Sequence, residues 1–339
     1  MNEKTNTLKS AIYGLAVGDA LGVPYEFKFR GAFECTDMIG YGTHNQPEGT
    51  WSDDTSMALA TCASIKVCGR VDVDDIRDRF RRWLKEGAYT PFGEVFDCGN
   101  TCAAAIRSGR GCDDEWSNGN GSLMRIIPLA FVEGITDAEI EAVSAITHAH
   151  SLSKLACVCY VRIAIDLVNG VSLAESIKRH VPGNSKLSGA IGIENVLRSD
   201  GMGSSGYVVD TFVAAMWCLL TTDNYRDCVL KAVNLGSDTD TTAAVAGDSF
   251  SALDFKTDVA VRKALGEHVN DSTVFIVAQR VSTILSADQI LVLDEGTIVG
   301  KGTHKELMQT CEEYRQIAES QLSPSEIAAS LGTDSERQV

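Results

Sequence analysis

Residues 73–86, VDDIRDRFRRWLKE, place the apolar side chains of Ile76, Phe80 and Trp83 three or four positions apart. Residues at this spacing lie on one face of an α-helix, and the rest of the segment is mostly charged. The segment therefore predicts an amphipathic helix that packs one face against a core. The same periodicity predicts further helices from Leu8 to about Gly22, from Asp53 onward, and over residues 138–147, 152–169 and 207–221.

The segments between these helices are short loops rich in Gly, Asn and Ser, notably residues 117–122 and 199–206. Residues 201–206 fit the spacing GxGxxG, but no strand is predicted before them, so a dinucleotide-binding fold is not supported. No convincing alternation of apolar and polar residues occurs before about residue 247. This part of the chain is therefore predicted to be all-α, with functional loops at one end of a helical core.

The pattern changes near residue 248. Residues 273–278 (TVFIVA) and 289–294 (QILVLD) are apolar runs of strand length, rich in β-branched side chains. A turn at residues 295–296 leads into residues 297–299, which predicts a β-hairpin.

A last helix is predicted over residues 304–320, because Thr303 and Glu306 form a capping box at its start. The chain is thus predicted to consist of an all-α domain, 1–247, and a small α/β segment with a polar tail, 248–339.

Composition and charge narrow the range of functions. Apolar residues make up 44% of the chain and charged residues 22%, which excludes an intrinsically disordered protein. The formal net charge of −16 repels a phosphate backbone, so we expect no unspecific nucleic-acid binding. A phosphate-bearing small ligand is not excluded, because a bound cation reverses the local field.

The expected location is the cytoplasm. No run of roughly 18 apolar residues predicts a membrane span, and the first residues, MNEKTNTLKS, lack the apolar core of a secretion signal. None of the 11 cysteines forms a CxxC pair, which argues against a structural zinc site. We interpret them as reduced thiols packed in the core.

Two short acidic stretches stand at predicted helix starts: residues 52–55 (SDDT) and 237–242 (SDTDTT). Acids and hydroxyls at such positions are often simple helix caps. They are also the oxygen ligands that Mg²⁺ prefers, and gathering several carboxylates is costly unless a cation lies between them. The spacing alone does not decide whether the two stretches meet.

Six motifs occur in a fixed order along the first part of the chain. They are GLAVGDALG at 14–22 followed by Glu26, WSDDT at 51–55, DCGNT at 97–101, NGNGSLMR at 118–125, Thr147-His148, and Gly206-Tyr207 with GSDTDT at 236–241. With this set, residues 1–247 resemble the ADP-ribosylglycohydrolase family, in particular the type that reactivates ADP-ribosylated dinitrogenase reductase.

The resemblance implies an all-α orthogonal helical bundle that holds two Mg²⁺ ions, with Mn²⁺ as a substitute. The metal ligands that it implies are Ser52, Asp53, Asp54, Asp238, Asp240 and Thr241. The catalytic residues that it implies are Glu26, Asp54 and Asp97, and either Glu26 or Asp54 would act as the base. The implied substrate-binding residues are Asp97, Gly99, Asn100, Thr101, Ser117, Asn118, Gly119, Asn120, Gly121, His148 and Tyr207.

Several of these residues also have plain structural interpretations. Glu26 would otherwise be a solvated surface acid, Asp97 a turn residue, and His148 a structural histidine. The family usually has glycine where this chain has Ser237, which questions the backbone geometry of that loop.

The activity implied is Mg²⁺-dependent hydrolysis of the bond between ribose and an acceptor, with release of ADP-ribose. Such a reaction builds oxocarbenium character, and the metals would orient the ribose hydroxyls and a water of lowered pKa. The substrate would be an ADP-ribosylated protein or small molecule. Asp97 favours arginine as the acceptor, while serine, a nucleic-acid end and a free metabolite stay open.

Residues 248–322 resemble the end of an ABC-transporter ATPase domain. Residues 248–254 (DSFSALD) look like the end of a Walker B strand, and Gln279 stands where active members usually carry histidine. No G-x-x-x-x-G-K-[ST] motif is present, so we expect no ATP hydrolysis. The segment replaces the helices that normally end the hydrolase domain, through a natural fusion or an assembly error.

Two other functions stay open at this point. The protein could be a catalytically impaired ADP-ribose-binding protein, disabled by Ser237 and by the fusion. It could instead be a fragment that acts through a transporter partner, but we do not expect contact with a transporter through the tail.

Overall fold

A computed structural model describes residues 3–182, 202–251, 281, 284, 285, 287, 289–294, 297–321, 327 and 330. Residues contact one another mainly within two compact units of the chain, Asn2–Lys263 and Ala264–Val339. The predicted strand at 273–278 and the predicted turn at 295–296 lie outside the described residues. The domain boundary at residue 247 stays a prediction.

The first unit is helical, as the periodicity predicts. Its helices are α1 Glu3–Gly22, α2 Asp53–Cys68, α3 Val73–Glu86, α4 Asn100–Ser108, α5 Asp137–Ser144, α6 Ser151–Val168, α7 Leu173–His180, α8 Val208–Leu220, α9 Tyr225–Val233 and α10, residues 239–251. Short 3-10 turns cover Val23–Tyr25, Gly42–His44 and Ile127–Phe131.

The local sequence explains where α3 begins and ends. Asp72 caps its start by accepting a hydrogen bond from the Asp75 amide, and Gly87 ends it in the left-handed conformation. Ile76, Phe80 and Trp83 are fully buried, so the amphipathic face that predicts the helix is the face that packs. Both α2 and α4 contact α3.

One predicted helix is too long. Residues 138–147 were expected to be helical throughout, but α5 ends at Ser144. The chain turns there because Cys112 donates its amide hydrogen to the Thr147 carbonyl and accepts one from Ala149. This pairing draws residues 147–149 away from the helix axis and directs His148 toward the interior.

Three glycines let α1 approach α10 closely. Gly14, Gly18 and Gly22 recur every four residues, so they share one face of α1. A Cβ at Gly18 would lie 2.2 Å from the carbonyl oxygen of Ala243, and one at Gly22 would lie 2.3 Å from the Cα of Asp240. Only glycine fits at these contacts, and the close approach brings α1 against the second acidic stretch.

Residues 248–251, which resemble the end of a Walker B strand, are helical and continue α10. The resemblance therefore does not predict their conformation. The Asp248 carboxylate accepts a hydrogen bond from the buried Tyr160 hydroxyl, and Phe250 packs edge-on against Tyr225. These contacts with α6 and α9 hold the helix beyond Gly247.

The second unit contains the predicted hairpin. Strand β1 (Ile290–Asp294) pairs antiparallel with β2 (Thr297–Gly302), followed by α11 (His304–Thr310) and α12 (Glu312–Gln321). The capping box of Thr303 and Glu306 is confirmed. The single helix predicted over 304–320 is wrong, because Cys311 is extended and buried in the small core, where it separates α11 from α12.

Among the described residues, no helix is both long and apolar enough to cross a membrane.

Candidate active site

The first unit contains a cavity of about 250 Å³ where several loops and helix starts converge. The predicted site residues that line it are Glu26, Asp53, Asp97, Gly99, Asn100, Thr101, Gly119, Asn120, Gly121, His148, Asp238 and Thr241. Four further residues line the cavity without having been predicted as site residues: Phe27 and Cys102, and Met124 and Gly206, which belong to the motifs quoted above.

The two acidic stretches meet beneath this cavity. Carboxylate oxygens of Asp19, Asp54 and Asp240 lie within 4.8 Å of one another, and all three residues are buried. The hydroxyl of Ser52 donates to Asp54 Oδ2 over 3.0 Å, and that of Thr241 donates to the same oxygen over 3.4 Å. Residues from 52–54 and from 240–241 thus surround one carboxylate, which spacing could not establish.

This acidic cluster has oxygens with no partner among the described residues. Asp54 Oδ1, Asp238 Oδ1 and both carboxylate oxygens of Asp240 are buried without a hydrogen bond. Burial first, and neighbouring carboxylates second, raise the pKa of Asp53, Asp54 and Asp240 well above the ordinary value. A hard cation would satisfy these oxygens and replace the protons, so the donor set fits Mg²⁺ or Mn²⁺.

Asp19 is a member of the cluster that the sequence analysis missed. It is fully buried, and its carboxylate accepts hydrogen bonds from the Ser52 amide (2.9 Å) and from the Thr55 amide (3.1 Å) and hydroxyl (2.6 Å). Burial raises its pKa to about 6, against the effect of these hydrogen bonds. Asp19 therefore fixes the start of α2, which carries Asp53 and Asp54.

Glu26 is only 4% exposed, so its interpretation as a solvated surface acid is wrong. Its carboxylate pairs with His44 Nε2, and its backbone carbonyl accepts a 2.7 Å hydrogen bond from the Thr43 hydroxyl. Burial, followed by the repulsion of the Asp97 carboxylate, raises the pKa of Glu26 to about 11. The side chain lines the cavity above the acidic cluster.

Asp97 and the start of α4 form one side of the cavity. Asp97 has a left-handed backbone (φ 50°), and its Oδ2 lies 3.9 Å from His44 Nε2. Gly99 caps α4 without a side-chain hydrogen bond. Asn100 and Thr101, the first residues of α4, line the cavity, and the free amide groups of a helix start favour a negatively charged or hydroxylated ligand.

The glycine-rich loop 118–121 forms the opposite side. The amide of Asn120 donates to the Gly206 carbonyl over 3.0 Å. Its side-chain nitrogen donates to Thr211 Oγ1 over 2.8 Å and to Asp238 Oδ2 over 3.1 Å. Asn120 thus joins the loop to α8 and to the acidic cluster, and leaves Gly119 and Gly121 lining the cavity.

A buried arginine supports this loop from behind. Arg125 is fully buried; it donates to the Gly121 carbonyl over 3.1 Å and to Thr147 Oγ1 over 2.8 Å, and it lies over the Phe80 ring. Thr147 Oγ1 in turn lies 2.9 Å from His148 Nδ1. Burial, and then the Arg125 charge, lower the pKa of His148 to about 3, so this histidine is neutral at pH 7.

Three predicted substrate-binding residues lie outside the cavity lining. The Ser117 hydroxyl donates to Asp114 Oδ2 over 2.8 Å, and the Asn118 side chain donates to the Glu115 carbonyl over 3.0 Å. Tyr207 is 41% exposed, and its backbone pairs with Gly119. Ser117 and Asn118 stabilise their own turn, whereas Tyr207 stands at the rim.

The backbone at Ser237 has the left-handed conformation that favours glycine, with φ of 66°. The loop keeps this geometry because the Phe27 amide donates to the Ser237 carbonyl over 2.7 Å, and the Ser237 amide donates to the Lys28 carbonyl over 2.8 Å. The serine therefore does not alter the loop, but it adds strain beside Asp238.

Ser237→Gly is expected to raise the free energy of unfolding by about 0.5–1 kcal/mol. Glycine relieves about 1–2 kcal/mol of strain from the left-handed backbone conformation. It also increases the conformational entropy of the unfolded chain, which offsets roughly half of that gain. Thermal or urea unfolding measures the change. Ser151→Gly, in the first turn of α6, serves as the control and should lower stability. A loss of stability in Ser237→Gly would contradict the strain.

A family model described as ADP-ribosylglycohydrolase matches residues 2–254. The chain is 35% identical to an ADP-ribosylarginine hydrolase, Tri1, from Serratia proteamaculans, over 74% of this chain and 72% of that protein. It is 33% identical to the ADP-ribosyl-[dinitrogen reductase] glycohydrolase of Rhodospirillum rubrum, over 70% of this chain and 82% of that protein.

A solved structure, titled ADP-ribosylglycohydrolase-related protein complex, has the same fold, with a TM-score of 0.63 and 28% identity. The matched region covers 75% of this chain and 89% of the chain in that structure. A separate match of 74 residues is 46% identical to an ABC transporter ATP-binding protein of Mycobacterium bovis and spans only 13% of that protein. The resemblances to both families are confirmed.

Proposed function

Because the chain belongs to the ADP-ribosylglycohydrolase family, we propose that it hydrolyses the bond between ADP-ribose and an arginine side chain in a Mg²⁺-dependent reaction. The observation that carries this proposal is that one cavity joins buried carboxylates to a glycine-rich loop. Clustered carboxylates bind a cation and take part in the cleavage of glycosidic bonds. The backbone amide groups of a glycine-rich loop bind a pyrophosphate.

The pyrophosphate is proposed to bind along Gly119 and Gly121. Their missing side chains let a ligand approach the backbone, and a Cβ at Gly121 would lie 2.9 Å from the His148 ring. His148 lines the same cavity and is neutral, so it can donate one hydrogen bond without pairing with the acidic cluster. The positive charge of buried Arg125 offsets part of the negative field at this end.

The arginine acceptor is proposed to lie against the Asp97 carboxylate, in the part of the cavity that Glu26 also lines. Both carboxylates line the cavity, and a guanidinium group matches such acceptors. The relative from Serratia proteamaculans is itself named as a hydrolase of ADP-ribosylarginine. A serine acceptor would leave these carboxylates without a cationic partner.

Two Mg²⁺ ions are proposed to be held by Ser52, Asp53, Asp54, Asp238, Asp240 and Thr241, and the Ser52 hydroxyl also donates to Asp54. A bound Mg²⁺ supplies a fixed position for the ribose hydroxyls and a water of lowered pKa. Of the two candidate bases, we favour Glu26, because it lines the cavity whereas Asp54 is fully enclosed by its neighbours. A bound cation would offset the neighbouring carboxylates and favour the ionised form of Glu26, which would then accept the proton of the attacking water.

The first test measures ADP-ribose released from an arginine-ADP-ribosylated protein, with Mg²⁺ and with EDTA. We expect release only with Mg²⁺, and we expect Glu26→Gln to reduce it by roughly 100-fold or more while Mg²⁺ still raises the melting temperature. A serine-ADP-ribosylated protein is the control substrate. No release by the folded wild type, together with measurable ADP-ribose binding, would support the impaired binding protein instead.

We also propose a reducing compartment, the cytoplasm, for this protein. All 11 cysteines are free, and Cys35, Cys102, Cys157, Cys159, Cys218, Cys228 and Cys311 are buried. Buried thiols of this kind act as small apolar side chains and require no oxidising environment. We propose no activity for residues 248–322, which resemble the end of an ABC-transporter ATPase domain.

A further inference from the structure

We propose that His44 is a positioning residue that holds the Glu26 carboxylate inside the cavity through a hydrogen bond from Nε2. The proposal rests on the proposed function, because Glu26 is the base that it assigns. Sequence reasoning gave no indication of His44, which lies in the 3-10 turn Gly42–His44 outside every motif. The contact is formed entirely by tertiary structure.

The loop that carries His44 is held in a defined conformation. The Tyr41 amide donates to the Gln46 carbonyl, which closes the loop, and both Tyr41 (φ 68°) and Asn45 (φ 52°) are left-handed. Such conformations are costly for residues other than glycine and persist where the surroundings enforce them. The loop is therefore held in a shape that its own sequence does not favour.

The loop is built against the segment that ends in Glu26. A Cβ at Gly42 would lie 2.2 Å from the Pro24 carbonyl oxygen, so the two backbones are in direct contact. The Thr43 hydroxyl donates to the Glu26 carbonyl over 2.7 Å. Thr43 thus fixes the backbone of Glu26, and the next residue, His44, contacts its side chain.

The His44 ring is itself fixed between aromatic neighbours. Its centroid lies 5.9 Å from that of Phe27 and 5.5 Å from that of Phe96, and its side chain is only 15% exposed. A ring held in this way presents Nε2 in one direction. Nε2 pairs with Glu26 and lies 3.9 Å from Asp97 Oδ2, so it stands between two carboxylates that repel each other.

Because of this repulsion, the Glu26 side chain requires a hydrogen-bond donor to stay inside the cavity. Asp97, Asp238 and Asp54 all act on the Glu26 carboxylate with like charge, and a glutamate has enough rotatable bonds to turn toward solvent. A hydrogen-bond donor at His44 offsets the repulsion and selects the rotamer that points into the cavity. A base displaced by about 1 Å is expected to cost roughly 100-fold in rate.

The test compares His44→Phe with His44→Gln in the arginine-ADP-ribose assay. Phenylalanine keeps the aromatic packing but has no donor, so kcat is expected to fall between about 10- and 100-fold, with KM and the Kd for free ADP-ribose nearly unchanged. Glutamine places an amide nitrogen near the position of Nε2, so kcat should recover to within about 5-fold of wild type. His180→Phe, which removes a histidine–carboxylate pair with Asp166, is the matched control and should leave kcat unchanged.

Equal kcat in wild type and His44→Phe would overturn the proposal, and so would a Gln variant as slow as the Phe variant. A second readout does not depend on turnover: the ¹⁵N shift of the His44 ring should change in Glu26→Gln. An unchanged shift means that the pair does not exist in solution. If the wild type releases no ADP-ribose while this shift does change, the proposed function fails and the positioning contact stands.

Discussion

Asp240→Asn is expected to reduce ADP-ribose release with Mg²⁺ by more than 100-fold and, without metal, to stabilise the protein at pH 8. Both effects follow from the buried carboxylate, whose two oxygens have no hydrogen-bond partner among the described residues. Replacing a direct ligand costs more than the roughly 10- to 100-fold seen when only the surroundings of a metal change. Without metal, the same change removes a buried carboxyl that the folded state must either protonate or hold among like charges.

Two measurements on one protein check this prediction. Initial rates with and without Mg²⁺ follow hydrolysis, and thermal unfolding in the same buffers follows stability. The wild type should melt at a higher temperature with Mg²⁺, because a ligand that binds only the folded state stabilises it. Asp240→Asn should lose that shift while its melting temperature in EDTA rises.

Asp248→Asn is the matched control. Asp248 lies about two turns further along the same helix. It is 1% exposed, and its Oδ2 also lacks a partner, but it contacts Tyr160 and Ser249 rather than the acidic cluster. The control should keep both the Mg²⁺ shift and the activity. Equal loss of the Mg²⁺ shift in both variants would show that the acidic cluster does not bind the cation.

Local sequence signals predict α1, α2, α3, α5, α6, α8 and the start of α10, whereas the patterns described above predict no helix at α4, α7 or α9. Periodicity gives the buried face of α3, and the caps at Asp72 and Gly87 give its ends. The break at Cys311 could not be predicted in this way. A capping box and a continuous helical pattern favour one helix, whereas the small core of the second unit requires Cys311 to be buried and extended.

The candidate site shows the same division. The two acidic stretches carry a local signal, which their resemblance to a family makes specific. Asp19 lies within the motif at 14–22, but nothing local assigns it to the acidic cluster, because it reaches Ser52 across 33 residues. His44 lies outside every motif and reaches Glu26 across 18 residues. Both act by holding a neighbouring functional residue, and such a role becomes visible only when the tertiary contacts are known.

Metal-free wild type is expected to lose stability as the pH rises from 7 to 8, whereas saturating Mg²⁺ should largely remove this loss. In the folded state the pKa of Glu26 is raised to about 11, and those of Asp53, Asp54 and Asp240 are raised well above ordinary values. In the unfolded state these groups have their usual pKa near 4 and are ionised in this range. The folded state thus binds more protons, and its stability falls as the pH rises.

The magnitude follows from the number of protons retained. Each carboxyl that stays protonated only in the folded state lowers the free energy of unfolding by about 1.4 kcal/mol per pH unit. His148 acts in the opposite direction, since its folded pKa of about 3 lies below its ordinary value, but only at pH values below about 6.5. Between pH 7 and 8 its imidazole is neutral in both states and contributes no slope.

Urea unfolding at pH 7.0, 7.5 and 8.0, in EDTA and in Mg²⁺, measures the two slopes. Buried cysteines such as Cys102 also have raised pKa values and lower stability as the pH rises, but they do so with or without metal. The difference between the two series therefore isolates the acidic cluster. A metal-free protein whose stability rises or stays constant over this range would show that these carboxylates are already ionised when folded, and the argument that a cation must offset their charge would then lose its basis.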